Sequence, residues 1–160
     1  MPSHAPPPRV FHLIQQAHSA LFRASDHALK EHVGLTASQQ AVLFVLMRKD
    51  GAPISAIAEE LRMGKSSLTG LVDRMTRAGL VRRQQSAEDG RSVEIFIEDR
   101  GRRAAETALP EVKRINAALL EPFSTQERAV IERFLRHVSN NAEAIVTNRA
   151  KTKFKERISV

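Results

Sequence analysis

The chain contains no cysteine, no tryptophan and no tyrosine. Without cysteine, disulfides, thiolate zinc sites and thiol-based peroxide sensing are all excluded. Seven phenylalanines are the only large aromatic residues, which argues against a platform on which single-stranded bases stack. No apolar run approaches about 18 residues, so no membrane-spanning helix is expected. The opening Met1-Pro2-Ser3-His4-Ala5-Pro6-Pro7-Pro8 lacks the apolar stretch of a signal peptide. These absences lead to the expectation of a soluble, cytoplasmic protein. Gly-rich phosphate loops, HExxH pairs and nucleophile motifs are also missing, so nothing in the chain singles out an enzyme and no cofactor is expected.

What is present is apolar content and positive charge. Of 160 residues, 42% are hydrophobic, enough for one domain with a buried core. Lys and Arg number 25 against 18 for Asp and Glu, a net charge of +7 that favours polyanionic partners. Residues 1–8 are Pro-rich and read as disordered. Residues 9–33 read as a long amphipathic helix carrying Val10, Leu13, Ile14, Ala17 and Leu21 on one face, stopped at Gly34. Thr36 and Gln39 have capping-box spacing, and the apolar run from Ala41 to Met47 that follows suits a helix buried on most sides. Asp50-Gly51-Ala52-Pro53 breaks it. Pro110 is expected to interrupt a later helix because its ring removes a donor and crowds the preceding turn. Ser124 and Glu127 restart the pattern with a second capping box, and the last helix is expected to end near residue 148, leaving residues 149–160 as a basic tail.

Residues 61–92 organise the rest. Within 65–78, Leu68, Leu71, Val72 and Met75 recur at i, i+3, i+4 and i+7, one face of a helix. Gly79 follows as a residue able to close it in the left-handed conformation. The other face carries Lys65, Ser66, Thr69, Asp73, Arg74 and Arg77. Upstream, Ile54, Ile57, Ala58 and Leu61 mark a preceding short helix, and Arg62-Met63-Gly64 the turn between them, a helix-turn-helix pattern. Downstream, residues 80–85 and 93–98 read as two strands around a tip with an Asp-Gly turn signal, Asp89-Gly90. Helix, turn, helix and hairpin make a winged helix-turn-helix whose tip carries Arg91.

This stretch resembles the MarR family of bacterial transcription regulators. The residues that carry the likeness are Leu68-Thr69, Leu71-Val72-Asp73-Arg74-Met75, Gly79-Leu80-Val81, Arg83, the wing Asp89-Gly90-Arg91, and Gly101 beyond it. Two departures stand out. Glu98-Asp99-Arg100-Gly101 replaces the commoner Leu-Thr-x-x-Gly exit from the wing, and Gly70 stands where many relatives carry a basic residue. The fold expected is mainly α with a small β-hairpin wing, as a single domain over 9–148. Its winged helix-turn-helix spans about 36–100. The resemblance implies that helices over 9–33 and 101–148 interdigitate with those of a second copy.

The resemblance also implies function: sequence-specific binding of double-stranded DNA as a homodimer on a pseudo-palindromic operator, expected to repress. Release would follow binding of a small aromatic or anionic effector in a cleft between dimer helices and winged domain. Candidate DNA contacts are Ser55, Lys65, Ser66, Ser67, Thr69, Arg74, Arg77, Arg83, Asp89 and Arg91. The bland alternative for the hydroxyls is that they serve as helix caps, and some arginines are expected to pair with Asp73, Glu88 or Glu94. Arg91 would enter the minor groove, held by Asp89. His12, Arg23, Phe44 and Met47 are the effector-pocket candidates. The six histidines lack the spacing of a helix-borne metal site, so no metal is expected. The competing reading is a basic architectural protein without sequence preference or effector.

Overall fold

The computed structural model describes residues 8–87 and 90–158, with side chains described as far as residue 147. Asp89, Glu88, residues 1–7 of the Pro-rich segment and the side chains of the basic tail lie outside the described residues. Among the described residues, six helices and three strands follow in order: α1 (Val10–Val33), α2 (Ala37–Arg48), β1 (Ala52–Pro53), α3 (Ile54–Glu60), α4 (Lys65–Arg77), β2 (Val81–Gln85), β3 (Val93–Ile97), α5 (Asp99–Leu120) and α6 (Thr125–Ile158). The chain divides into two compact units, Met1–Lys113 and Arg114–Val160, with the boundary inside α5.

The first unit holds the core. The i, i+3, i+4, i+7 residues of α4 (Leu68, Leu71, Val72 and Met75) are all buried, against Val42, Leu43, Val45 and Leu46 of α2 and Ile57 and Ala58 of α3. Ala105 and Ala108 of α5 complete this cluster. Local chemistry sets the element ends as the residues imply. Thr36 Oγ1 accepts from the Gln39 N–H at 3.1 Å while the Gln39 side chain accepts from the Thr36 N–H at 2.9 Å, so the capping box at α2 is complete. Gly79, at φ 67°, ends α4, and the Leu80 N–H turns back to the Met75 carbonyl at 3.0 Å.

Strand β3 is the centre of an antiparallel three-stranded sheet in the order β1-β3-β2. Arg83 stands opposite Ile95 and Val81 opposite Ile97, which sets Ile95 and Ile97 into the core. Phe96, on the other face, lies under the Arg82 guanidinium at 4.3 Å. The segment Asp50-Gly51-Ala52-Pro53 does more than break a helix: Ala52 pairs with Ile95 and Pro53 with Glu94. Proline is tolerated because β1 is an edge strand and needs no second set of ladder donors. The bend before it is held by Asp50, whose Oδ1 accepts from the N–H groups of Gly51 (3.1 Å) and Ile97 (2.8 Å).

One further expectation needs correction. Pro110 does not interrupt the helix; α5 runs through it from Asp99 to Leu120. Pro110 is exposed, so water can satisfy the carbonyl one turn back that its missing N–H leaves unpaired. The helix-turn-helix turn falls between α3 and α4 at Arg62-Met63-Gly64, as expected. Arg62 takes the left-handed conformation (φ 52°), whereas Gly64 is extended and serves as the N-cap of α4.

The second unit contains the end of α5 and α6. Ser124 caps α6: its hydroxyl and N–H both donate to Glu127 Oε2, at 2.7 and 2.8 Å. The Ser124 hydroxyl, then its N–H, hold the Glu127 carboxyl below its ordinary pKa. α6 continues through Ile158, past residue 148.

Candidate DNA-binding site

Helix α4 is exposed along the face opposite its core residues. Lys65, Ser66, Ser67, Thr69, Arg74 and Arg77 are all on the surface, and Leu68 and Leu71 are buried beneath them. The N-cap is Gly64, and no side chain caps the first turn. The hydroxyls of Ser66 and Ser67 are therefore not spent on capping. The leading N–H groups and Lys65 offer a 13-residue helix end to an anion.

The wing brings a second set of groups to this end. A cleft of about 340 Å³ opens between α4 and the base of the wing, lined by Ile54, Ser55, Lys65, Leu68, Thr69, Arg91, Ser92 and Val93. Ser55 from α3, Lys65 and Thr69 from α4, and Arg91 from the wing thus share one concavity although they lie up to 36 positions apart (91 minus 55). Arg91 and Ser55 are exposed.

The arginines divide by what they already hold. Arg83 Nη2 lies 2.9 Å from Asp73 Oδ1 and donates to the Thr69 carbonyl at 3.2 Å. It braces strand β2 against α4. Asp73 was among the partners expected for these arginines; that Arg83 is the one it takes, together with the Thr69 carbonyl, is set by the packing of β2 on α4. Arg82 is held between Glu98 (3.3 Å), Gln84 (2.7 Å) and the Phe96 ring. Arg77 Nε donates to the Asp73 carbonyl at 3.3 Å. The guanidinium of Arg74 has no hydrogen-bond or ion-pair partner among the described residues.

The effector candidates are not brought together. His12 and Arg23 border an open depression on α1 with Gln15, Gln16, Ser19 and Ala20. Phe44 and Met47 instead pack, half-buried, against the core under α2. One helix face cannot enclose a ligand by itself. Sequence reasoning also missed Arg100, whose Nη1 donates to the Ala78 carbonyl at 2.9 Å and closes the C-terminal end of α4 from α5.

A helix-turn-helix with an uncapped leading end, a hairpin beside it and cations from both defines a winged-helix, DNA-binding transcription regulator. Comparison with known proteins gives the family. Residues 33–92 match the MarR family. Over 127 residues the chain is 33% identical to the HTH-type transcriptional regulator PecS of Dickeya dadantii, covering 74% of this chain and 75% of PecS. It is 35% identical over 92 residues to TtmR of Methylorubrum extorquens, 58% of this chain and only 46% of TtmR.

Among solved structures it is similar to PcaV of Streptomyces coelicolor in complex with its natural ligand. The TM-score is 0.72 and identity 27%, over 88% of this chain and 94% of that one. It is also similar to the regulator MOSR of M. tuberculosis in complex with DNA, with TM-score 0.74 and identity 27% over 86% and 98%. The chain belongs to the MarR family of winged helix-turn-helix transcription regulators. Members of this family and the relatives named are regulators, not enzymes. Among the described residues, no helix is long and apolar enough to cross a membrane.

Proposed function

We propose that the protein is a cytoplasmic, sequence-specific repressor that binds a pseudo-palindromic operator as a homodimer and is released by a small aromatic or anionic effector. The observation that carries this reading is the cleft joining Ser55, Lys65 and Thr69 to the wing residue Arg91. Helix α4 enters the major groove with its leading residues toward base edges. Arg91 follows the backbone into the adjacent minor groove, where narrow A·T tracts concentrate negative potential. Dimerisation is supported by apolar side chains left uncovered on the terminal helices. Phe11 is 73% exposed and Val146 69%, and Leu13, Leu21, Val130 and Leu135 are also exposed. Two-fold symmetry then sets half-sites about 10 bp, or a multiple, apart.

The effector reading rests on the ligand complex of PcaV and on the α1 depression containing His12 and Arg23. A second copy would have to supply the facing wall. Any such ligand acts by binding one spacing of the two reading heads better than the other.

The test is fluorescence anisotropy on the DNA upstream of the protein's own gene against a scrambled duplex of equal length, at several salt concentrations. Binding tighter by about a thousandfold or more on the native duplex is the expected result. Equal affinity on every duplex, including those from a wider operator selection, with a steep salt slope would leave only a general basic DNA binder.

A further inference from the structure

We propose that Arg74 is folded back over Gly70 to read a guanine edge in the major groove, making this pair a determinant of operator sequence. The inference deepens the sequence-specific reading above and rests on it.

Gly70 is a gap in the exposed face of α4, one position beyond Thr69. A Cβ built on it would lie 3.6 Å from Arg74 Nη1, so the guanidinium of Arg74 lies across the glycine. Long side chains on a helix lean toward its N-terminus. Here the lean carries a planar, five-donor fork from the third turn back to the level of Gly70, nearer the end of the helix that meets bases. A side chain longer than a methyl at this position would compete for the surface over which the fork lies.

The other arginines on this side are committed elsewhere. Arg83 is bound to Asp73 and the Thr69 carbonyl, and Arg77 leans on the Asp73 carbonyl. Arg74 alone among these three has its fork unengaged in the described structure. The commonest specific base contact of such a fork is the bidentate pair to guanine O6 and N7. Lysine keeps the charge but not the fork, which separates base reading from phosphate attraction.

The experiment selects duplexes from a random pool with the full chain. It then measures affinity for the winning duplex and its single-base-pair variants, using wild type, Arg74→Ala, Arg74→Lys, Gly70→Ala and Gly70→Gln. Circular dichroism confirms that each variant is folded. Wild type is expected to prefer G·C at one position per half-site by roughly tenfold or more. Arg74→Ala and Arg74→Lys should lose that preference and keep the others. Gly70→Ala, whose methyl fits at 3.6 Å, should retain it, and Gly70→Gln, which competes for the space, should lose it.

Uniform weakening of all duplexes by Arg74→Ala, with a salt slope smaller by about one, identifies a phosphate contact and overturns the proposal. So does an Arg74→Ala protein with unchanged preferences. A wild type that prefers no sequence overturns the sequence-specific reading itself, and this proposal with it.

Discussion

Arg83 and Asp73 are joined across the junction of wing and recognition helix, Nη2 to Oδ1 at 2.9 Å, while the same nitrogen donates to the Thr69 carbonyl at 3.2 Å. Both side chains are partly exposed, so the pair adds little to global stability, on the order of 1 kcal/mol or less. Its larger consequence is geometric, because it fixes strand β2 against the helix that presents Thr69. Asp73→Ala is therefore expected to weaken operator binding although it removes a negative charge from a DNA-binding face. If Arg83 were held back from a phosphate by Asp73, the same substitution would tighten binding. Anisotropy titration of the variant decides between these signs.

Gly101 tests the packing of α5 on the winged domain. A Cβ there would lie 2.1 Å from the Leu80 carbonyl oxygen and 3.1 Å from Leu43 Cδ2. That carbonyl also accepts from the Glu98 N–H at 3.0 Å, so it cannot move aside freely. Helix propensity favours alanine by about 1 kcal/mol, but the clash is with backbone and overpacking costs about 1–3 kcal/mol or more. Gly101→Ala is expected to lower stability on balance, read as a fall in the urea midpoint. A raised midpoint would show that α5 sits farther from Leu80.

At the wing, Arg91→Ala should cost about 1–3 kcal/mol of operator affinity if the side chain makes a specific groove contact. Affinity equal to wild type would remove the wing from recognition.

Asp26 supplies a pH-dependent link between α1 and α2. Its Oδ1 accepts from the Ala37 N–H at 2.7 Å, and its Oδ2 lies 3.2 Å from Lys30 Nζ. The Ala37 hydrogen bond above all, with help from Lys30, holds its carboxyl below the ordinary aspartate value. The folded state therefore binds this proton less readily than the unfolded chain. The contribution to stability is fully present above the ordinary aspartate pKa and is lost as pH falls through the lowered, native value. Wild type should exceed Asp26→Asn in stability at about pH 7 and lose that advantage in acid. Denaturant titrations across this range would show parallel curves if the link were absent.

Much of this architecture could be read from residues close together in the chain. The apolar spacing of α4, the Thr36–Gln39 and Ser124–Glu127 boxes and the Gly34 and Gly79 stops are local chemistry, and local chemistry is legible in order. Side-chain period two placed Ile95 and Ile97 inward for the same reason. Pro110 misled because the rule for a helix interior is an average cost, and α5 absorbs it where water reaches the unpaired carbonyl. The two-residue strand β1 was illegible, since Ala52 and Pro53 become a strand only by pairing with Ile95 and Glu94.

The sequence by itself determined the helix-turn-helix, the wing, the basic excess and the polar, exposed face of α4, because periodicity, caps and composition act over a few residues. Only the tertiary structure decided which arginines are spent inside the protein, that Ser55, Lys65, Thr69 and Arg91 share a cleft, and that Arg74 lies over Gly70. Those outcomes depend on distances between elements far apart in sequence and on where a long, flexible side chain finds a partner. No local pattern specifies either.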